Sequence, residues 1–369
     1  MAEQQPEPRP PVGVALDGDL GERADALLAI GLLNGLTAQQ EARRISLSVS
    51  RPSLQAARLA DVIAEFYPTL PVGAGFLTVG MLEGAPPRED APAIARMLAT
   101  KTPEGALVYE SRVQRALDAA DNATLIRNLL LAQHDGNAIV LLAGAATGLA
   151  RLLSLYGARA QIAAKVKLLV VAAGAYPAGK ADASIAMDVA AARQLFAEWP
   201  TPLVAVGSEV GNAVRFPLAK LEEGLASSSA QPIAAACRAI AGSAADLPTT
   251  AAAGMLHAIH PENADLVLSP AGTISVLDDG RTRFVAGAGG RHRYLSVNPA
   301  QRERLLATYV SLISAPPAPR PTKKLPSMVD AGEPPKPGAP AKTGAAPKPG
   351  ATPSAAPNAA SPAAPGGKP

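Results

Sequence analysis

The stretch that decides the fold is residues 12–29, VGVALDGDLGERADALLA, near the start of the chain. Its first five residues form an apolar run, which is typical of a parallel strand buried on both faces. An acidic loop with Asp17 and Asp19 follows, and an apolar helix begins near Ala24. In open α/β sheets ligands bind beyond the carboxyl ends of the strands, so the two acids lie where a binding site is expected.

Asp17 and Asp19 are two residues apart, a spacing that points both side chains to the same side of an extended segment. Neighbouring carboxylates repel each other unless a cation, a shared proton or hydroxyl donors compensate. The pair therefore predicts a metal site or a site for sugar hydroxyls. The alternative is a solvated loop in which Asp19 alone caps the following helix.

The composition limits the classes of protein to which the chain can belong. Of its 369 residues 48% are hydrophobic and only 3% are aromatic, so stacking platforms for nucleic-acid bases are not expected. The single cysteine, Cys237, excludes an intramolecular disulfide and a cysteine-cluster metal site. We find neither a signal peptide nor an apolar run long enough to cross a membrane, and expect a cytoplasmic protein without nucleic-acid or membrane partners.

Residues 316–369 are rich in Pro, Ala, Gly and Lys and have no periodic apolar face. We predict a disordered tail there, a disordered N-terminus over 1–10, and one domain over 11–315. From residue 315 onward the chain has seven Lys or Arg against two acids, so its basic pI belongs to the tail. We interpret the tail as a solubilising extension, with a spacer or a weak binding segment for acidic partners as alternatives.

Strands and helices alternate between residues 11 and 315, which predicts an α/β fold with an open, mostly parallel sheet covered by helices. Asp-Asp-Gly at 278–280 predicts a C-terminal β-hairpin. Residues 81–105 are expected to run over the surface, and 71–75 to form a short strand or loop. The other predicted strands are 12–16, 44–49, 138–143, 166–172 and 203–206, and the predicted helices are 24–36, 54–66, 112–131, 149–156, 189–198 capped by Asp188, and 301–313.

Three further motifs have weaker functional interpretations. Residues 174–181, GAYPAGKA, have the spacing of a phosphate-binding loop, but Ala181 replaces the hydroxyl that would hold magnesium. The apolar run before the two acids is similar to the opening of haloacid-dehalogenase-like phosphatases, although Leu20 follows the second acid instead of that family's usual Gly-Thr or Val. His257 and His260 are interpreted as packing or capping residues rather than as metal ligands.

Four segments of the chain form a pattern when they are taken in order. They are the strand and acidic loop over 16–29, IVLLAGAATGLA over 139–150, GAY at 174–176 with ADASIAMD at 181–188, and LHAIHP at 256–261 with GGRHRY at 289–294. Together they resemble the inosine-uridine-preferring nucleoside hydrolases, and the resemblance covers nearly all of 11–315. The order and spacing of the segments carry more weight than any single match. The resemblance implies a nucleoside-hydrolase-like fold and cleavage of the N-glycosidic bond of a ribonucleoside to base and ribose.

The resemblance also implies a calcium ion, because that family binds one that contacts two ribose hydroxyls and the attacking water. Position by position, Asp19 corresponds to the metal-binding aspartate that is also the catalytic base, and Asp17 to its partner at the metal. Asp25 corresponds to a ribose-contacting acid. Asp182 and Ser184 correspond to the glutamate and asparagine that contact the ribose.

Several positions depart from the family pattern. Ala26 stands where a second acid follows Asp25, and Ala143 stands where a threonine contributes its carbonyl to the metal. Ala251 lies near the fourth ligand position, and Thr250 at that of a histidine or tryptophan beside the base. Each lost carboxylate weakens calcium binding, because affinity follows the charge of the ligands.

Three hypotheses fit these residues. The chain is a working N-ribohydrolase with a rearranged metal site, in which Asp17 or Asp246 substitutes for the missing acids. Alternatively, it is a catalytically impaired relative that binds a nucleoside or ribose-like ligand, or a scaffold that acts through its fold and its Pro-rich tail. Homo-oligomerisation and the preferred base are left open by the sequence.

Overall fold

Apolar segments such as residues 138–143 form central strands that are buried on both faces. The structure is a computed structural model that describes residues 10–69, 79–84, 89–224, 231–242 and 245–319, all within the unit Met1–Leu325. The segments predicted to be disordered lie almost wholly outside these residues, and so does the strand or loop predicted at 71–75.

The strands cluster in the first half of the chain and again after the middle helices. They are β1 (Val12–Gly18), β2 (Ala42–Val49), β3 (Val79–Met81), β4 (Ala120–Asp121), β5 (Ala138–Ala143), β6 (Val166–Val171), β7 (Leu203–Ala205), β8 (Phe216–Pro217), β9 (Asp246–Leu247), β10 (Leu266–Leu268), β11 (Gly272–Val276), β12 (Thr282–Ala286) and β13 (His292–Val297).

Helices connect most of these strands. They are α1 (Ala24–Ala38), α2 (Leu54–Phe66), α3 (Pro92–Leu98), α4 (Asn122–Leu131), α5 (Thr147–Ser154), α6 (Ala158–Lys165), α7 (Ala183–Met187), α8 (Val189–Glu198), α9 (Ser208–Ala213), α10 (Leu218–Gly224), α11 (Pro232–Ala241), α12 (Thr250–Ile259) and α13 (Arg302–Ile313), with short 3-10 helices at Ala116–Asp118 and Pro299–Gln301.

The main sheet has the order β12-β11-β13-β7-β6-β5-β1-β2-β3-β4. Its strands from β13 to β4 are parallel, whereas β11 and β12 form an antiparallel hairpin and β10 pairs antiparallel with β13. The chain builds outward from β1 through β2 to β4 and then returns to the other side of β1 with β5. This reversal places a topological switch point between β1 and β5, where α/β sheets bind ligands.

Alternate residues of the central strands face two separate hydrophobic cores. In β1, Val14 and Leu16 pack in the core formed with α1, α2 and α11–α13, whereas Ala15 packs in the core formed with α4–α6 and α8. In β5, Leu141 packs in the first of these cores and Leu142 in the second. The sheet is therefore covered on both faces, and the predicted α/β class, mostly parallel sheet and C-terminal hairpin are confirmed.

Helix α1 is buried along almost its whole length. Each residue from Ala24 to Leu36 is inaccessible to solvent or nearly so, because α1 lies between the sheet and α11–α13. Its composition explains this position, since small and apolar residues leave no polar face to expose.

Two predictions about local structure differ from what is observed. Helix α4 begins at Asn122 rather than near 112, because Asp121 accepts the Thr124 N–H and caps it there. Upstream, Asp118 accepts the backbone N–H of Arg115 and holds a short 3-10 turn instead of a continued helix. The surface run expected over 81–105 contains α3, in which Ile94, Met97 and Leu98 are buried, so that expectation is wrong there.

None of the helices in the described ranges has the length and hydrophobicity that a membrane span requires.

A close helix crossing at Gly35 gives a test of the packing. A Cβ added there would contact the Leu312 carbonyl oxygen and lie 2.9 Å from the Leu312 carbonyl carbon. We expect Gly35→Ala to lower the free energy of unfolding by about 1–3 kcal/mol in urea denaturation, because α13 must move away from α1. Alanine is a better helix former than glycine by about 1 kcal/mol, so helix propensity alone would raise the free energy of unfolding. A decrease therefore shows that the packing contact dominates.

Gly287→Ala is the matched control, because a Cβ there meets nothing within 4 Å. Equal stability of the two variants would contradict the described contact between α1 and α13.

Candidate functional site

Asp17 lies at the end of β1 and is completely buried. Its Oδ2 accepts a long hydrogen bond of 3.5 Å from Asn122 Nδ2, and its Oδ1 has no partner among the described residues. A Cβ on Gly148, in the first turn of α5, would lie 3.0 Å from Asp17 Oδ2. Asp17 therefore faces the start of α4 and α5, and burial raises its pKa to about 7.

Asp19 lies in the loop after β1 and is 4% exposed. Its backbone N–H donates to the Ala143 carbonyl at 3.0 Å, and one carboxylate oxygen is 3.3 Å from Arg51 Nη2. Burial raises the pKa of Asp19, and the Arg51 charge opposes that rise. Asp17 and Asp19 thus have separate partners. Helix α1 has no side-chain cap, so the capping alternative for Asp19 is wrong.

The Arg23 side chain is bonded to two of the predicted site residues, Asp25 and Ser184. Its Nε and Nη2 donate to the two carboxylate oxygens of Asp25 at 3.0 and 2.7 Å, and its Nη1 donates to Ser184 Oγ at 2.6 Å. The charges of Asp182 and Asp19 also act on Arg23. We refer to Asp19, Asp25 and Asp182, the carboxylates around this guanidinium, as the acid cluster.

Asp182 holds the start of α7 in place. Its Oδ1 accepts the backbone N–H groups of Ser184 at 2.9 Å and of Ile185 at 3.3 Å, and Ser184 is itself buried. The structure therefore brings Asp19, Asp25, Asp182 and Ser184 to one edge of the sheet. It places them there through segments that are separated by more than 150 residues of sequence.

A cavity of about 420 Å³ opens beside the acid cluster at the carboxyl edge of the sheet. We call it the edge cavity. Arg51, which reaches Asp19, is part of its wall. Thr147 Oγ1 donates to Asp188 Oδ2 at 2.7 Å across another part of that wall. The lining residues are Ser50, Arg51, Pro52, Ser53, Leu82, Asp90, Ala145, Thr147, Met187 and Asp188.

Two polar atoms of the edge cavity are buried without a hydrogen-bond partner in the described part of the chain. They are Ser50 Oγ and Asp90 Oδ1. Buried polar atoms are nearly always paired with protein, water or ligand, so these two are unsatisfied polar groups at the cavity wall. Ser50 also lies where the loops after β1, β2 and β5 meet. A Cβ on Gly144 would contact the Ser50 hydroxyl and would lie 2.8 Å from the Asp19 backbone nitrogen.

The residues present do not fit calcium, which needs six to eight oxygen ligands. Asp19, one of the two predicted metal ligands, lies against Arg51, and both Asp25 oxygens accept from Arg23. Asp17, the other predicted ligand, is fully buried and accepts from Asn122. The Ala143 carbonyl accepts the Asp19 N–H. Within the described ranges no group of three or more His, Cys, Asp or Glu residues is arranged to hold a metal ion.

Of the two candidate substitutes for the missing acids, Asp17 lies at the end of β1 and Asp246 lies elsewhere. Asp246 is exposed in β9, which belongs to the separate two-stranded sheet. Ala251 and Thr250 are buried at the start of α12. His260 Nε2 lies 2.8 Å from Oε2 of Glu41, which directly precedes β2, so His260 belongs to the opposite edge of the main sheet.

Sequence reasoning missed the two arginines of the site. Arg23 follows β1 in the loop that carries the predicted Asp19, and Arg51 follows β2. Their position at the carboxyl ends of β1 and β2 was the available signal. Glu209 was also missed: it follows β7, accepts the Tyr176 N–H at 3.3 Å, and has its pKa raised by burial.

Comparison with solved structures identifies the fold. The chain is similar to a plant nucleoside hydrolase, with a TM-score of 0.60, 18% identity, and 83% of this chain and 100% of that chain covered. It is similar to an inosine-uridine preferring nucleoside hydrolase from Bacillus anthracis, with a TM-score of 0.55, 15% identity, and coverage of 81% and 99%. It is also similar to the type III effector protein XopQ, which was solved with adenosine diphosphate ribose. There the TM-score is 0.56 and the identity 15%, with 83% of this chain and 95% of that chain covered.

The chain therefore has the nucleoside hydrolase fold, and at these identities the likeness shows the fold alone. No protein-family model and no curated protein sequence matches the chain. The predicted roles of Asp17, Asp19, Asp25, Asp182 and Ser184 stay predictions.

Asp17 gives a pH test of the buried site. Its pKa is about 7 in the folded chain against 3.8 for an ordinary aspartate. Between these values the unfolded carboxyl is ionised while the folded one keeps its proton, so stability falls as pH rises from 4 to 7. We expect Asp17→Asn to remove as much as about 4 kcal/mol of that fall, measured by urea denaturation across this pH range.

The exposed Asp278 supplies the matched control, Asp278→Asn, which should leave the pH dependence of stability unchanged. The interpretation fails if the wild type and Asp17→Asn show the same slope of stability against pH.

Proposed function

We propose that the chain binds a ribonucleoside or another ribose-containing ligand in the edge cavity. The observation that carries this proposal is the cavity itself, which lies next to the switch point of a nucleoside hydrolase fold and has an unpartnered buried hydroxyl, that of Ser50. A ribose offers hydroxyl groups that both donate and accept, and it therefore suits a wall of hydroxyls and carboxylates.

The structural neighbours support this class of ligand. Two of them are nucleoside hydrolases by name, and a third was solved with adenosine diphosphate ribose. A nucleoside and adenosine diphosphate ribose share a ribosyl unit, and we propose that the ligand of this chain contains one too.

Within the cavity we assign the ligand contacts to groups whose hydrogen-bonding capacity is still available. Ser50 Oγ and Asp90 Oδ1 are unpartnered in the described part of the chain, and Thr147 and Asp188 retain lone pairs beside them. Asp25 and Ser184, which the family resemblance assigns to the ribose, are already bonded to Arg23. Their contact with a ligand would require Arg23 to release them.

A second candidate is hydrolysis of the N-glycosidic bond with Asp19 as the base. The observation that favours it is the burial of Asp19, which raises the pKa of the carboxylate and so makes it a stronger base. Calcium would serve this reaction by orienting the sugar and acidifying the water. We favour binding without hydrolysis, because Asp19, the predicted metal ligand and base, lies against Arg51, and Asp25 is bonded to Arg23.

Ligand binding is tested by titration calorimetry with adenosine, inosine and adenosine diphosphate ribose. We expect at least one of them to bind, and Thr147→Val to weaken its binding about tenfold, because the hydroxyl and its bond to Asp188 are lost. Thr308→Val on α13 is the matched control and should bind like the wild type. Binding by none of the three compounds, or unchanged binding by Thr147→Val, would contradict the proposed site.

Hydrolysis is tested by reducing-sugar release from a panel of ribonucleosides, with and without added calcium chloride. We expect no release above that of the buffer. A rate that Asp19→Asn lowers at least about a hundredfold, with Asp278→Asn unaffected, would instead establish the second candidate.

A further inference from the structure

The acid cluster brings carboxylates into a place with little water, and something must balance their charge. Asp19 is 4% exposed and Asp25 is 2% exposed. Buried carboxylates are retained only when they are paired with a cation or fully hydrogen-bonded. The identity of that cation is therefore a defining property of this site.

Arg23 meets the requirement through all three of its nitrogens. The Nε and Nη2 pair forms a two-pronged contact with Asp25, the geometry in which a guanidinium binds a carboxylate most strongly. Nη1 is directed to Ser184 Oγ, which lies next to the helix start that Asp182 caps. One guanidinium thus connects the loop after β1 with the start of α7.

The local backbone fixes Arg23 in this position. Its N–H donates to the Asp19 carbonyl at 3.1 Å, which closes a turn over residues 19–23. Its own conformation is extended, with φ −121° and ψ 107°, immediately before α1 begins. The side chain is only 25% exposed. Arg23 is therefore held by the fold rather than free in solvent.

A second guanidinium acts from the other side of the cluster. Arg51 Nη2 lies 3.3 Å from Asp19 and 3.4 Å from the half-exposed Glu22. A divalent cation placed between Asp19 and Asp25 would compete with Arg23 for the Asp25 oxygens and would meet repulsion from both arginines.

We propose that Arg23 is the resident cation of the acid cluster, so that the ligand site of this chain works without a divalent metal. The positive charge is permanent, since the charges of Asp25, Asp182 and Asp19 outweigh burial and raise the pKa of Arg23 above its already high ordinary value. This inference concerns the cation and stands whichever ribosyl compound, if any, occupies the edge cavity.

The test is calcium titration by calorimetry on the full chain after treatment with a chelator. We expect no one-to-one binding by the wild type at calcium concentrations up to about 1 mM, the range of weak calcium sites. We expect Arg23→Gln, which removes the charge and frees both Asp25 oxygens, to gain a one-to-one site at least about tenfold tighter than any wild-type binding, with a calcium-dependent rise in Tm.

Two variants complete the design. Arg23→Lys keeps the charge and should bind no calcium, and Arg193→Ala, which removes an arginine paired with the exposed Asp278, is the matched control. One-to-one binding by the wild type overturns the inference, and so does a folded Arg23→Gln that gains none. If Arg23→Gln fails to fold, Arg23→Ala replaces it. A one-to-one calcium site gained by Arg23→Ala and absent from the wild type would then support the inference, and the opposite result would overturn it. Failure of ligand binding in the edge cavity would leave this result intact, so the two proposals fail separately.

Discussion

The structure depends on charge compensation at the end of its central strand. β1 delivers carboxylates into the interior, where water cannot solvate them, and every neighbouring element supplies part of the compensation. The two arginines provide positive charge, whereas Asn122 and the start of α5 border the carboxyl of Asp17. Without these partners, the same acids would oppose burial of the strand that positions them.

The topology makes such compensation feasible. Because the chain reverses between β1 and β5, the loops after β1, β2 and β5 converge, and Asp19 bonds to the last residue of β5 while Ser50 bonds to Gly18. Convergence brings together charged side chains that lie far apart in the sequence. The edge cavity lies between these loops, and its lining includes residues that follow β2 and residues that follow β5.

The sequence predicts the strands well where an apolar run has a sharp boundary. β5 was predicted to the residue because 138–143 is apolar throughout, and α2 because its apolar residues have helical spacing. The start of α4 was not predictable from periodicity, since it depends on which of two nearby aspartates, Asp118 or Asp121, acts as the cap. The acids of the candidate site are visible as a local motif. The role of Arg23 cannot be predicted from the sequence, because its hydrogen bond to Ser184 joins residues that are 161 positions apart.

The enclosure of α1 has a consequence for how the site meets its ligand. Loop residues 19–23 lead directly into a helix that has no solvent-facing side, so any displacement of the loop would disturb the packing of three other helices and the sheet. Closely packed interiors resist such adjustment. The loop over residues 19–23 is consequently rigid, and a ligand that binds at this edge, as proposed, must fit a shape that the packing has already fixed.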